Sequence, residues 1–191
     1  EYVPGHTLAR FCRPETLLSL ETIVEIGFKC AMALGYCWKQ GLIHRDVKPA
    51  NILVVMRGQE VLEVKISDFG SVLNLGSDRT QVLGVGSLTY MPPEQVDGDE
   101  LDSRTDMYAL GAVMYHLIAG RPPFEASSQP ALLKQIFHST PPPLTQLREG
   151  VSPALDHLVQ WAMARQREDR PASWDEFAAS LSQLITNHEV P

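Results

Sequence analysis

Apolar residues recur at helical spacing from Leu20 to about Gln40, at Ile23, Ile26, Cys30, Leu34 and Cys37. Positions three and four apart share one face, so this stripe predicts a helix packed on a core, and Gly41 stands where such a helix stops. The period then changes. Ile52 to Val55 and Val61 to Ile66 read as two short strands separated by Arg57-Gly58-Gln59-Glu60. From Met107 to Gly120 the chain is apolar nearly all round, which predicts a helix buried on every side, and Gly120-Arg121-Pro122-Pro123-Phe124 ends it sharply. Ala131 to His138 predicts a short amphipathic helix and Pro141-Pro142-Pro143 a stiff connector. Pro153 to Ala164 and Ser173 to Ile185 predict two closing helices, each starting near a Ser or Pro. Ser71 to Thr89, rich in Gly, Ser and Thr and without periodicity, is expected to be a loop, longer than ordinary connections. The resulting fold class is α+β, mostly α, with a short β hairpin.

Composition narrows this picture. A chain of 191 residues suits one well-buried domain, and 44% hydrophobic with 20% charged residues describes an ordinary globular chain. Lys+Arg 16 against Asp+Glu 23 gives 16 − 23 = −7, which argues against a nucleic-acid backbone as partner. Cys12, Cys30 and Cys37 are odd in number and lack metal-ligand spacing, so they are expected to be core thiols in a reducing compartment. No secretory signal opens the chain, and its longest apolar run, Met107 to Gly120, contains His116 and is too short to span a bilayer. A cytoplasmic location is expected from these features. His116 is expected to be structural.

The chemistry concentrates where the first helix meets the strands, in His44-Arg45-Asp46-Val47-Lys48-Pro49-Ala50-Asn51. Phosphoryl transfer needs a carboxylate to orient a hydroxyl nucleophile, a cation near the transferred group and an oxygen ligand for a metal. Asp46, Lys48 and Asn51 supply one of each. Asp68-Phe69-Gly70 then follows directly on the second strand and Ser67. Gly84-Val85-Gly86 is no nucleotide-binding glycine motif, since no third Gly completes it and no strand-to-helix setting surrounds it.

These residues resemble the eukaryotic-like serine/threonine protein kinases, whose catalytic loop reads H-R-D-L-x-x-x-N and whose metal loop reads D-F-G. Lys48, placed after Asp46, is the serine/threonine version. Pro93-Glu94, Asp106 to Gly111 and Arg170-Pro171-Ala172-Ser173 follow in the family's order, so the resemblance covers essentially the whole chain. Ser87 stands for the usual Thr and Pro92 for the usual Ala; neither departure removes a catalytic group. The resemblance implies a kinase-like C-terminal lobe over residues 1–186, opened by the hinge, and a tail over 187–191. It implies ATP and Mg²⁺ as cofactors and a protein substrate phosphorylated on Ser or Thr. Asp46 would orient the substrate hydroxyl and accept its proton, and Lys48 would neutralise γ-phosphate charge. Asn51 and Asp68 would be the Mg²⁺ ligands. Glu1 and Val3 would meet the adenine edge through their backbones, with Leu53 also at the nucleotide. Glu94 would pair with Arg170. Asp106 would reach back to the catalytic-loop backbone, or cap its helix, or both. Arg45 would receive a phosphate on the segment that follows Gly70, at Thr80 or Ser77.

The resemblance also implies what these residues lack. No G-x-G-x-x-G is present, and the first lysine, Lys29, lies inside the helix leading to the catalytic loop. The small N-terminal lobe, with its Gly-rich loop, strand lysine and helix Glu, is therefore expected to be a missing partner. This stretch alone is expected to be inactive as an enzyme. Two other readings stand beside a kinase without its small lobe: a non-catalytic lone lobe serving as a binding or scaffold module, and a small-molecule phosphotransferase. Lys48, Pro93-Glu94 and the segment at Ser87 argue against the last.

Overall fold

The computed structural model describes residues 4–69, 73–74 and 85–187. A short strand, β1 (His6–Thr7), precedes the first long helix, α1 (Leu20–Lys39). Ser19 caps α1 by accepting a bond from the Thr22 amide, the arrangement that satisfies an orphan N–H at a helix start. The predicted stripe faces inward, with Ile23, Ile26, Cys30 and Leu34 buried. Gly41, at φ +74°, turns the chain out of the helix in a conformation that strains other residues.

The chain then makes β2 (Leu42–Ile43), β3 (Ile52–Arg57) and β4 (Glu60–Ile66). β3 and β4 form the predicted hairpin, antiparallel from Ile52↔Ile66 to Arg57↔Glu60, with a register shift between Val55 and Met56. Two further pairings were not legible in the hydrophobic pattern. β1 adds to the free edge of β3, with His6 opposite Val54 and Thr7 opposite Leu53, making a three-stranded sheet in the order β1-β3-β4. β5 (Leu73–Asn74) pairs antiparallel with β2 in a second, two-stranded sheet. Part of the segment expected as loop is thus a strand, and Val85–Tyr90 forms 3₁₀ turns. Each pairing satisfies edge backbone groups and pins one end of a loop: β2 and β3 bracket residues 44–51, and β4 and β5 bracket the metal-loop motif.

Helices fill the rest: α2 (Pro93–Asp97), α3 (Ser103–Ala119), α4 (Gln129–His138), α5 (Pro153–Ala162) and α6 (Trp174–Thr186). α3 is the axis of the core, and from Thr105 to Ile118 only His116 is not buried. It begins at Ser103, ahead of the apolar run that marks it in the sequence. Asp102 caps it, accepting from the Arg104 amide at 2.8 Å. α1 and α5 pack against it, and Gly111 makes the α5 crossing close. A Cβ there would come within 2.9 Å of Met163 Cγ and 3.0 Å of Ala162 Cβ. An alanine would overpack the crossing, at a cost of about 1–3 kcal/mol.

Cys12 and Cys30 are buried free thiols, pushed up to about 12 by burial, and Cys37 is half-buried and free. Among the described residues no helix is long and apolar enough to cross a membrane.

Candidate active site

The loop between β2 and β3 has little regular structure of its own, so its polar backbone must be satisfied by side chains brought from elsewhere. The largest share comes from Asp106 in the first turn of α3. Its Oδ2 accepts from the His44 amide at 2.7 Å and its Oδ1 from the Arg45 amide at 2.8 Å. Asp106 is 4% exposed. Burial raises its carboxyl above the ordinary carboxylate range, and the two N–H donors offset part of that rise. Capping falls to Asp102 instead, so the two roles open to Asp106 from sequence are divided between two carboxylates.

On the other side Gln95, in α2, donates from Nε2 to the Arg45 carbonyl at 2.8 Å. Arg45 takes φ +65°. A left-handed conformation in a non-glycine residue costs about 1–3 kcal/mol and persists only where the surroundings over-determine it. Burial lowers the Arg45 guanidinium below its usual value, and Asp106 opposes that shift.

His44 is buried and works through both ring nitrogens. Nδ1 accepts from the Asp46 amide at 3.3 Å, and Nε2 donates to the Ser67 carbonyl at 3.0 Å. Those partners place the ring proton on Nε2. The Phe69 ring meets His44 edge to face, with centroids 4.9 Å apart, and is 46% exposed.

Asp46, Lys48 and Asn51 are drawn into direct contact. Oδ2 of Asp46 receives Lys48 Nζ at 2.6 Å and Asn51 Nδ2 at 3.0 Å. Asn51 Nδ2 also donates to the Asp46 carbonyl at 2.9 Å. Both partners of that nitrogen are acceptors, which fixes the orientation of the amide and directs its oxygen away from Asp46. The Asn51 backbone carbonyl accepts from the Ser67 amide at 2.8 Å and from Ser67 Oγ at 3.2 Å. With the His44 bond, three hydrogen bonds lace the loop ending at Asn51 to the loop beginning at Ser67. Asp68 therefore follows a firmly held residue, and it takes φ +64°. Arg45 and Asp68 are the two non-glycine residues with positive φ among the described residues. Each loop carries one.

Asn51 and Asp68 together offer an amide oxygen and a carboxylate, hard donors that fit Mg²⁺, which is commonly held by few protein groups. Leu53 lies on β3, half-buried, opposite Thr7 and Lys65. Glu1, Val3, Gly70, Ser71, Ser77 and Thr80 lie outside the described residues.

Below the loop, Arg170 and Glu94 form a bidentate ion pair, Nη1–Oε1 at 2.6 Å and Nη2–Oε2 at 2.9 Å. Tyr90 donates to or accepts from His116 Nδ1 at 2.8 Å, with the rings stacked at 6.0 Å. Burial pushes the Tyr90 hydroxyl far up, so it stays protonated. His44, Ser67 and Gln95 are the positioning groups that sequence reasoning passed over. His44 and Ser67 adjoin the motifs and were within reach. Gln95 shows no pattern beyond standing next to Glu94.

Compared with known proteins, residues 1–183 match the protein kinase domain family. The chain is 35% identical over 195 residues to the serine/threonine-protein kinase PknB of Mycobacterium tuberculosis, a match that covers 100% of this chain and 30% of PknB. It is 36% identical over 188 residues to PknB of Mycobacterium leprae, covering 96% of this chain and 29% of that protein. To the serine/threonine-protein kinase pkn3 of Myxococcus xanthus it is 36% identical over 192 residues, covering 96% of this chain and 35% of the relative. The chain thus spans about a third of the length of these curated relatives.

Proposed function

The chain belongs to the protein kinase domain family, among the eukaryotic-like serine/threonine kinases, and from that premise we propose that it transfers the γ-phosphoryl group of ATP to serine and threonine hydroxyls of proteins. The observation that carries this reading is the grip on Asp46, whose Oδ2 lies 2.6 Å from Lys48 Nζ and 3.0 Å from Asn51 Nδ2. A carboxylate oriented before substrate arrives needs no reorganisation in the transition state. Asp46 orients the attacking hydroxyl and takes its proton. Lys48 keeps a positive charge beside that carboxylate, where it offsets charge on the transferring group. Asn51 and Asp68 would hold Mg²⁺, which when bound neutralises charge across the β- and γ-phosphate oxygens.

Residues 1–186 serve in this reading as hinge and C-terminal lobe, with 187–191 as a tail. Glu1 and Val3 meet the adenine edge through their backbones, and Leu53 adds an apolar contact to the nucleotide. An N-terminal lobe supplies the phosphate-covering loop and the strand lysine. These 191 residues alone are expected to transfer phosphate far below the ordinary kinase range of about 1–100 per second.

The test is labelled ATP with Mg²⁺, the full-length protein and a protein acceptor, followed by identification of the labelled amino acid. Phosphoserine and phosphothreonine that vanish when Mg²⁺ is chelated are expected. A label found on tyrosine or on a small molecule would overturn the acceptor class. Nucleotide binding without any transfer would favour a scaffold module instead.

A further inference from the structure

We infer that Gln95 is a positioning residue for the proposed catalytic carboxylate, because it holds the peptide plane from which Asp46 projects. The inference rests on the phosphoryl-transfer reading. Arg45 stands at a left-handed φ of +65°, and the peptide groups on both sides of its Cα are held. Asp106 takes the N–H of the plane before it, at 2.8 Å. The plane after it joins Arg45 to Asp46, and a trans peptide points its C=O and N–H in opposite directions. Gln95 Nε2 grips the C=O end at 2.8 Å, and His44 Nδ1 grips the N–H end at 3.3 Å. The shorter bond is the one from Gln95.

Rotation of that plane changes ψ of Arg45 and φ of Asp46, the two torsions that set where the Asp46 side chain points relative to Arg45. A change in either torsion that the other does not compensate swings the Cα–Cβ bond of Asp46 and pulls Oδ2 out of the reach of Lys48 and Asn51. Gln95 is well placed to resist this. It follows Glu94, whose carboxylate is fixed in two bonds by Arg170, so the donor stands on an anchored turn of helix. The amide provides the needed donor without charge. Through this one bond the buried ion pair and the catalytic loop share a fixed geometry. Gln95 touches no reacting atom itself.

The experiment compares Gln95→Met, Gln95→Glu and Gln95→His in the full-length protein. Each is followed by kcat, by KM for ATP and for the protein acceptor, and by melting temperature. Met keeps the length and removes the donor; Glu keeps the shape and sets a carboxylate against a carbonyl; His returns a neutral N–H. The expected result is a fall in kcat of about ten- to hundredfold for Met and Glu, the scale for a misplaced catalytic group. KM values should stay within about twofold of wild type, the melting temperature should fall by no more than about 2–4 °C, and His should recover part of the loss. Wild-type kcat in Gln95→Met overturns the inference. So does a loss in which His fares no better than Met. If Met proves unstable, the Glu variant decides on the same readings. A wild-type protein that transfers no phosphate would instead overturn the reading beneath, which keeps the two failures distinct.

Discussion

Two ion pairs with the same 2.6 Å closest contact do different things in this protein. Arg170 and Glu94 are 0% and 8% exposed in their side chains, Lys48 and Asp46 25% and 14%. Arg170 spends all five of its N–H donors internally. Nε reaches the Ala164 carbonyl, Nη1 Glu94 and the Arg104 carbonyl, and Nη2 Glu94 and the Arg165 carbonyl. Its guanidinium also lies 4.9 Å from the centre of the Tyr108 ring. Such a pair ties α2, α3 and the segment before α6 into one block and has nothing to offer a substrate. Asp46 and Lys48 are held just as closely but stand at a partly open surface, in a loop laced to Ser67. A short salt bridge therefore says little about function by itself. Access and the strain carried nearby separate the pair proposed to act on substrate from the structural one.

The largest effect expected from this contrast is on stability. Arg170→Met leaves Glu94 buried without its partner, and such losses run to about 3–5 kcal/mol. Lys48→Met breaks an equally short but partly exposed pair and is expected to cost under about 1 kcal/mol. Chemical denaturation of both variants checks this, and equal losses would erase the distinction. Tyr90→Phe comes next. It removes the hydroxyl bonded to His116 Nδ1, and a bond of that kind contributes about 0.5–1.5 kcal/mol. A variant as stable as wild type would mean that the stacked rings alone hold the 3₁₀ segment onto α3.

The smallest effect is a slope with pH. Burial lowers His116 below the usual 6.5, while the Cys12 backbone and Glu125 act in the opposite direction. A base with its pKa depressed on folding binds fewer protons folded than unfolded. Its contribution to stability is therefore complete above the unfolded value and is lost as pH falls through about 6.5 toward the folded pKa. Melting temperature followed from about pH 7.5 down to 5 should fall less steeply in His116→Gln than in wild type. Identical slopes would assign the titration to another group.

How much of this was readable in advance depended on whether the determining residues are contiguous. The loop from His44 to Asn51 and the motif at Asp68 carry their chemistry in adjacent positions, and α1 declares itself by its stripe. β1 and β5 are two residues each, too short for alternation to register, and exist because Leu53-Val54 and Leu42-Ile43 offer open edges. The first turn of α3 was missed because Ser103, Arg104, Thr105 and Asp106 are polar. Three of them are nonetheless buried, with Asp106 bonded to a loop far away in sequence. Gln95 belongs to the same class: its partner is the Arg45 carbonyl, and a backbone acceptor leaves no mark on the sequence of the donor.

The central claim is that Asp46 does chemistry while its surroundings only aim it. Asp46→Asn in the full-length protein tests this most directly, with kcat and nucleotide affinity measured on the same preparation. Asparagine keeps the size and removes the proton-accepting carboxylate. The account predicts a fall in kcat of about 10²–10⁴-fold, the usual contribution of a general base, with nucleotide affinity and melting temperature close to wild type. Transfer at the wild-type rate in that variant would contradict it.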